Sequence, residues 1–122
     1  MGDSAFIGRF FDPPRDPGGL ARGARVRRML LEQVRYALTT EPAAVEPLPD
    51  LPAESVTYIR GRISITVGAI VVRLNREGFT ESDHLYEMRD GLAEGKPVER
   101  THLEWLNTII ARERSRSGGV SS

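Results

Sequence analysis

The chain has 122 residues, which is the length of a single domain. Its 17 basic and 17 acidic side chains give zero net charge, which argues against a general polyanion-binding protein, because such proteins usually carry a basic excess. The absence of cysteine excludes disulfides, thiolate catalysis and cysteine-ligated metals. No apolar run approaches the roughly 18 residues of a membrane span and no signal sequence is recognisable, so we expect a cytoplasmic protein that does not enter a membrane.

The N-terminal segment, residues 1–20, is predicted to be an irregular arm. It contains three prolines and a Gly-Gly pair, which disfavour regular structure. Its large apolar side chains are Phe6, Ile7, Phe10 and Phe11. They are too apolar for a freely solvated tail, so we expect the arm to lie along a surface, either its own or a partner's.

A helical domain is predicted over residues 21–116, followed by a disordered tail at 117–122. Its first helix should cover 21–40, because apolar and neutral side chains recur there at spacings of three and four residues. The expected inner face consists of Val26, Met29, Leu30, Gln33, Val34 and Ala37. Residues 41–53 contain four prolines and are predicted to form a stiff, acidic linker.

The second long helix, between Pro52 and Gly78, has two apolar faces. The first face comprises Val56, Ile59, Ile63, Val67, Ile70 and Leu74. A stripe on the opposite side comprises Tyr58, Ile65 and Val72. A helix with two apolar faces needs cover on both, and in so short a chain one face is expected to meet another subunit. Because β-branched residues also alternate here, a strand is the competing interpretation, and the sustained period of about 3.6 residues favours the helix.

Two more helices complete the predicted fold, which is all-α with about four helices and no barrel domain. The first of them has an apolar line formed by Leu85, Met88 and Leu92. The sequence Thr101-His102-Leu103-Glu104 is typical of a capping box and should begin the last helix. Trp105 lies beside the inner face of that helix, where it is either a core residue or an anchor in an interface.

By inventory the chain lacks a catalytic or metal-binding centre of its own. His84 and His102 are its only histidines, and no pair of residues shows a recognised metal-ligand spacing such as HExxH. The carboxylate pairs Asp83/Glu87 and Asp90/Glu94 are expected on solvated helix faces rather than in the apolar pocket that a general acid needs.

Four arginines crowd the start of the first helix: Arg22, Arg25, Arg27 and Arg28. They could bind phosphates, but no aromatic side chains interleave with them as a base-stacking platform would require. A helix N-terminus disfavours cations, so acidic side chains should compensate for them. The expected candidates are the acids around the linker, Glu41, Glu46, Asp50 and Glu54. Nucleic-acid binding is therefore the weaker functional hypothesis.

Several short motifs, taken in order, resemble the N-terminal helical part of nitrile hydratase β subunits. Arg15-Asp16-Pro17-Gly18-Gly19-Leu20-Ala21-Arg22-Gly23 is similar to the family's opening arm. Arg60-Gly61-Arg62 and Gly78-Phe79-Thr80 are similar to the two ends of a family helix, and Glu104-Trp105-Leu106 to the start of a later one. Relative to that family, residues 21–40 and the linker are an insertion and the barrel-like C-terminal domain is missing. The chain is thus similar to the helical half of a β subunit divided between two chains, as in thiocyanate hydrolase and toyocamycin-type nitrile hydratases.

The resemblance implies a role as the non-metal subunit of an enzyme that hydrates a C≡N group in a small nitrile. Cobalt or iron would be bound by a Cys-rich α chain, and a short barrel-type β chain would complete the assembly. The partner interface implied here comprises Phe10, Phe11, Tyr58, Ile65, Val72 and Trp105. The family places an arginine near the oxidised cysteines of the metal site. That position falls on Tyr86 here, and the arginines that could approach the metal loop are Arg60, Arg62 and Arg89.

The principal alternative from a different functional class is a stand-alone helical adaptor or regulatory module. It predicts a stable monomer or homodimer without an enzyme partner. A nucleic-acid-binding regulator that uses Arg22 to Arg28 is the remaining hypothesis, and it predicts a salt-dependent affinity for DNA.

Overall fold

The computed structural model describes residues 20–46 and 50–117, and these form five helices without a strand. The helices are α1 (Leu20–Leu38), α2 (Glu41–Ala44), α3 (Ala53–Arg76), α4 (Ser82–Ala93) and α5 (Arg100–Arg116). The prediction of an all-α fold with about four main helices is confirmed, and the strand interpretation of the second long helix is wrong. The predicted arm up to residue 19, with Phe10 and Phe11, and residues 118–122 of the predicted tail lie outside the described residues.

The inner face of α1 differs from the predicted one. Leu31 and Leu38 are fully buried, whereas Met29 is 52% exposed and Gln33 is exposed. The buried face is therefore rotated by about one residue, ~100° around the helix, from the predicted one. Because α1 has apolar side chains on more than half of its circumference, the packing of its neighbours decides which leucines become core.

Part of the predicted linker folds as α2. Pro42 stands in its first turn, where a missing N–H costs little, and Ala43 is fully buried. The Ala43 carbonyl accepts a hydrogen bond of 2.8 Å from the N–H of Val98, which is also buried. This bond ties the loop before α5 to α2. α5 begins at Arg100, with Glu99 as its N-cap residue, and not at the predicted capping box, which starts at Thr101.

α3 ends at the predicted glycine. Gly78 has a φ of +88°, which is favourable only for glycine. Its N–H donates to the Asn75 carbonyl, and the N–H of Phe79 donates to the Leu74 carbonyl at 3.0 Å. These two bonds form a Schellman motif, and the buried Phe79 side chain supplies the accompanying apolar contact. The chain therefore reverses immediately into α4.

The four long helices form an up-and-down bundle in which each successive long helix is antiparallel to the one before it. α3 packs on α4, and α1 packs on both α3 and α5. Side chains also join α4 to α5, because His102 of α5 lies 3.4 Å from Glu87 of α4. The shared core is mainly aliphatic, and Phe79 is its one buried aromatic side chain among the described residues. Its fully buried members include Val34, Val67, Val71, Leu74, Leu85, Leu92 and Leu106.

By length and composition, α3 is also long and apolar enough to cross a membrane, with a mean hydropathy of 1.2. The core helices of globular domains share these properties. In α3, which contacts α1 and α4, 22% of the apolar window is buried. The expectation that the chain stays out of a membrane remains a prediction.

A buried carboxylate holds α1 and α5 together at one end of the bundle. Glu113 of α5 is 1% exposed and accepts a hydrogen bond of 3.1 Å from Arg27 of α1. Arg27 also donates to the Glu77 carbonyl at the end of α3, at 2.9 Å. The acids that compensate the arginines of α1 are thus Glu113 and Glu32, not the predicted acids around the linker. Those acids belong to the opposite end of α1, because α1 and α3 are antiparallel.

Arg112 extends this network to Glu81, in the turn before α4, through a hydrogen bond and ion pair. The hydrogen bond from Arg112, with the positive charges of Arg112, His84 and Arg116, holds the pKa of Glu81 below its ordinary value, although partial burial acts in the opposite sense. A carboxyl with a lowered folded-state pKa stabilises the fold above its unfolded pKa, and this contribution is lost as the pH falls through the folded value.

We expect Glu81→Gln to lower the free energy of unfolding at pH 7 by up to about 1 kcal/mol, the range of partly exposed ion pairs. The difference from the wild type should shrink as the pH falls below about 4.3, the ordinary value for glutamate, because Glu81 then loses its charge. Urea unfolding at pH 7 and pH 3 measures both effects. The exposed Glu104→Gln is the control. A Glu81→Gln effect of equal size at both pH values would contradict this account.

Candidate functional site

The outward face of α3 exposes a row of large apolar side chains. Tyr58 and Ile65 are each 67% exposed, and Val72 is 46% exposed. They are spaced seven residues apart, so they lie almost in line over ~21 Å of the helix. We call this set the α3 stripe. It is the second apolar face predicted from the sequence, and it is left uncovered within the described part of the chain.

Two arginines flank the α3 stripe on opposite sides. Arg62 stands three residues before Ile65 and is exposed. Arg89 of α4 lies against Gly68, three residues after Ile65, where its Cδ is 3.2 Å from the position that a Cβ would occupy. Positions three residues before and after a given residue lie ~60° to either side of it on a helix. A partner seated on the stripe would therefore meet a guanidinium along each edge.

Arg89 is held in place by its neighbours on α4. It donates to the Asp90 carboxylate at 2.8 Å, and its guanidinium lies 4.5 Å above the ring of Tyr86. Tyr86 itself packs partly against the core, and its hydroxyl accepts a hydrogen bond of 3.3 Å from Asn75 of α3. Tyr86 and Arg89 thus form one unit, in which the ring orients the guanidinium beside Gly68.

Arg60 has a different place from the one predicted. It is 1% exposed, and its guanidinium is bound within the chain. It donates to the carbonyls of Pro42, Val45 and Gly95 at 2.5, 2.8 and 2.8 Å and to the Glu46 carboxylate at 3.2 Å. The structure therefore does not place Arg60 on the surface, where the sequence analysis expected it to approach a partner's metal loop. The apolar period along α3 gives no sign of this role, because the acceptors come from segments distant in sequence.

Trp105 is half-buried at the contact between α4 and α5, away from the α3 stripe. It packs against the core and stacks on His84, with 4.4 Å between ring centroids and 27° between ring planes. The structure therefore does not bring Trp105 together with the other side chains of the predicted interface.

An apolar groove, which the sequence did not reveal, runs between α1 and α3. It has a volume of about 500 Å³. Its lining is Gln33, Tyr36, Ala37, Thr40, Pro42, Ile59, Ile63, Thr66 and Ile70. The three isoleucines were predicted to be core, but they remain half-buried, because α1 faces them with the small or polar Ala37, Thr40 and Gln33. We call this feature the α1–α3 groove.

Arginines from three helices gather where α1 begins and where α3 and α5 end. They are Arg22, Arg25, Arg27, Arg28, Arg73, Arg76, Arg112, Arg114 and Arg116. The acids at this arginine-rich end are fewer: Glu32, Glu77, Glu81, Asp83 and Glu113. Arg25, Arg73 and Arg76 are exposed, and no ion pair joins them to an acid within the described residues. The neutral chain thus has one basic end.

Histidine and carboxylate side chains do not converge on a metal site in the part of the chain that the structure describes. His84 stacks on Trp105, and His102 faces Glu87. The two histidines therefore belong to two separate contacts between α4 and α5.

We expect Arg60→Met to destabilise the fold by about 3 kcal/mol, because it removes the charged donor of three partly buried carbonyls and the ion pair with Glu46. Arg62→Met, two positions along the same helix, is the matched control. Arg62 is exposed, so its replacement should change the free energy of unfolding by less than about 0.5 kcal/mol. Urea denaturation of both variants measures the difference, and similar losses in the two would refute the structural role of Arg60.

Comparison of the chain with protein-family models, with curated proteins and with solved structures finds no match. The function is therefore inferred from the surfaces of this chain and from the motifs in its sequence.

Proposed function

We propose that this chain is a non-catalytic, helical subunit that binds a larger partner chain through the α3 stripe. The observation that carries the proposal is the exposure of Tyr58, Ile65 and Val72 on a helix whose opposite face packs into the core. Scattered apolar side chains are normal on a protein surface, whereas large apolar side chains aligned along one face of a long helix are typical of an interface. A helix face of this kind fits an apolar groove or another helix of the partner.

The more specific part of the proposal is that the partner is the Cys-rich, metal-bearing α chain of a nitrile hydratase-like enzyme, with a short barrel-type chain beside it. The order of the motifs Arg60-Gly61-Arg62, Gly78-Phe79-Thr80 and Glu104-Trp105-Leu106 supports this choice. The position of Arg89 supports it as well, because an arginine fixed at the edge of an apolar interface could donate charge-assisted hydrogen bonds to oxidised cysteines.

In such an assembly the partner's cobalt or iron would supply the Lewis-acid chemistry on the nitrile. The residues of the present chain would do two things. The α3 stripe would exclude water from the interface, and Arg62 and Arg89 would donate hydrogen bonds along its edges. With Arg60 bound internally, these two are the arginines of the predicted set that remain available for that role.

The first test is to isolate the tagged chain from its native host and identify what comes with it. We expect a chain with a Cys-Xaa-Xaa-Cys metal loop, together with cobalt or iron in stoichiometric amount by elemental analysis. A partner without metal would support the role as an interacting subunit but contradict the assignment to a nitrile hydratase-like enzyme. A chain that is recovered alone and metal-free would contradict both.

We further expect Ile65→Asp to weaken binding of that partner at least about tenfold, because it places a charge at the centre of the buried patch. Ala111→Asp, at an exposed position on α5, should leave the affinity unchanged. The dissociation constants can be measured by titration calorimetry, with circular dichroism as the check that both variants stay folded. Equal affinities for the two variants would show that the α3 stripe is not the interface.

The arginine-rich end favours a second candidate function, the binding of nucleic-acid phosphates. Zero net charge weighed against this function in the sequence, but the structure concentrates the arginines of three helices at one end. Phosphate contacts depend on local charge, not on the charge of the whole chain.

If this second function is correct, the chain binds a DNA duplex with an affinity that falls steeply between 50 and about 200 mM salt, as counterion release requires. The triple variant Arg25→Ser, Arg73→Ser, Arg76→Ser should reduce both the affinity and its salt dependence. Serine at the exposed Arg62 and Arg100, outside the arginine-rich end, is the control. Fluorescence anisotropy with labelled DNA distinguishes the outcomes, and equal loss in both variants would contradict a localised site.

A further inference from the structure

The α1–α3 groove is an apolar surface that the described helices leave open. Ile59, Ile63 and Ile70 line it from α3, and Tyr36 and Ala37 are its apolar contribution from α1. Beyond the groove, α1 continues the apolar surface with the exposed Met29. Because burial of apolar side chains is favourable in water, a segment that covers the groove would stabilise the fold.

We infer that the α1–α3 groove binds the chain's own N-terminal segment, with Phe10 and Phe11 as the side chains that enter it. The segment joins the described structure at Leu20, the first residue of α1. The groove lies towards the other end of α1, and Tyr36 is ~24 Å from Leu20 at 1.5 Å per residue. A segment that turned back along α1 would therefore have to cover that distance.

The length of the segment matches this distance. Phe11 lies nine positions before Leu20, and nine steps in extended form at 3.1 Å per residue span ~28 Å. Pro13, Pro14 and Pro17 lie within that stretch and favour an extended backbone. The segment is therefore long enough for Phe10 and Phe11 to reach the level of the groove, whereas a segment a few residues shorter would not be.

The composition of the two terminal segments indicates which of them fits the apolar groove. Residues 6–11 contain three phenylalanines and an isoleucine, whereas residues 117–122 consist of serine, glycine and a single valine. The N-terminal segment is also tethered to α1, so its local concentration at the groove is of the order of millimolar without any assembly between molecules. The inference stands independently of the proposed function, and it places Phe10 and Phe11 in the groove instead of the partner interface.

The absence of native cysteine permits a direct test with pairs of introduced cysteines in the full-length chain. Asp12→Cys with Thr66→Cys joins the residue next to Phe11 to the lining of the groove. The matched control is Asp12→Cys with Thr108→Cys on α5. Thr66 and Thr108 are both exposed threonines whose hydroxyls donate to the carbonyl four residues earlier, at 3.3 and 3.1 Å.

Under mild oxidation we expect the Thr66 pair to form an intramolecular disulfide at least about tenfold faster than the Thr108 pair, because docking raises the local concentration of the thiols. Adding Phe10→Ser and Phe11→Ser to the Thr66 pair should remove that advantage. Non-reducing electrophoresis and mass spectrometry measure the product. Equal rates for the two pairs, or an unchanged rate after the serine substitutions, would overturn the inference. A disulfide formed mainly between two molecules would overturn it as well, since the groove would then hold the segment of a second copy.

Discussion

α3 presents apolar side chains around most of its circumference, and the rest of the described chain covers only part of them. α1 and α4 pack on two of its sides, and the core residues Val67, Val71 and Leu74 are fully buried there. The remaining apolar surface is divided between the α3 stripe, which faces outward, and the half-buried isoleucines of the α1–α3 groove. Both candidate binding surfaces therefore have one cause, which is a long apolar helix in a bundle too small to enclose it.

Arg60 fixes the end of the bundle at which this helix begins. A buried guanidinium is costly unless its N–H groups find hydrogen-bond acceptors. Here three carbonyls and one carboxylate provide them. The acceptors come from residues 42–46 and from the turn after α4, so one side chain joins two segments to α3. Gly95, which supplies one of them, has a φ of +84° and ends α4 in the same way as Gly78 ends α3. The segments around α2 and after α4 are thus fixed to α3 by the hydrogen bonds of Arg60.

Elements with a strong local signal were predictable from the sequence, and features that depend on distant contacts were not. The period of α3 and the glycine after it identified that helix and its end, because both signals lie within the helix. The α1 face was placed one residue away, since Leu31 and Val26 are equally apolar and only packing on α5 and α3 distinguishes them. Among the candidate site residues, the exposure of Ile65 followed from the two-faced pattern of α3. The burial of Arg60 did not, because its acceptors in residues 42–46 and 95 are brought together only by the fold.

The charge distribution shows why a sum over the whole chain is a poor guide to binding. Arginines lie near the start of α1 and near the ends of α3 and α5, and an antiparallel bundle brings these three helix ends together. The acids of residues 41–54 and 94–104 lie mostly at the opposite end, so equal totals of 17 and 17 conceal a separation along the bundle axis.

At α3 and α5 the arginines also complement the negative ends of the helices, which accounts for part of their number. At the start of α1 this explanation fails, since the helix dipole there disfavours cations. The buried Glu113 and the half-buried Glu32 compensate Arg27 and Arg28. Arg25 lies at the same helix start, and no described acid pairs with it. Neither the helix dipole nor an ion pair therefore explains an arginine at this position.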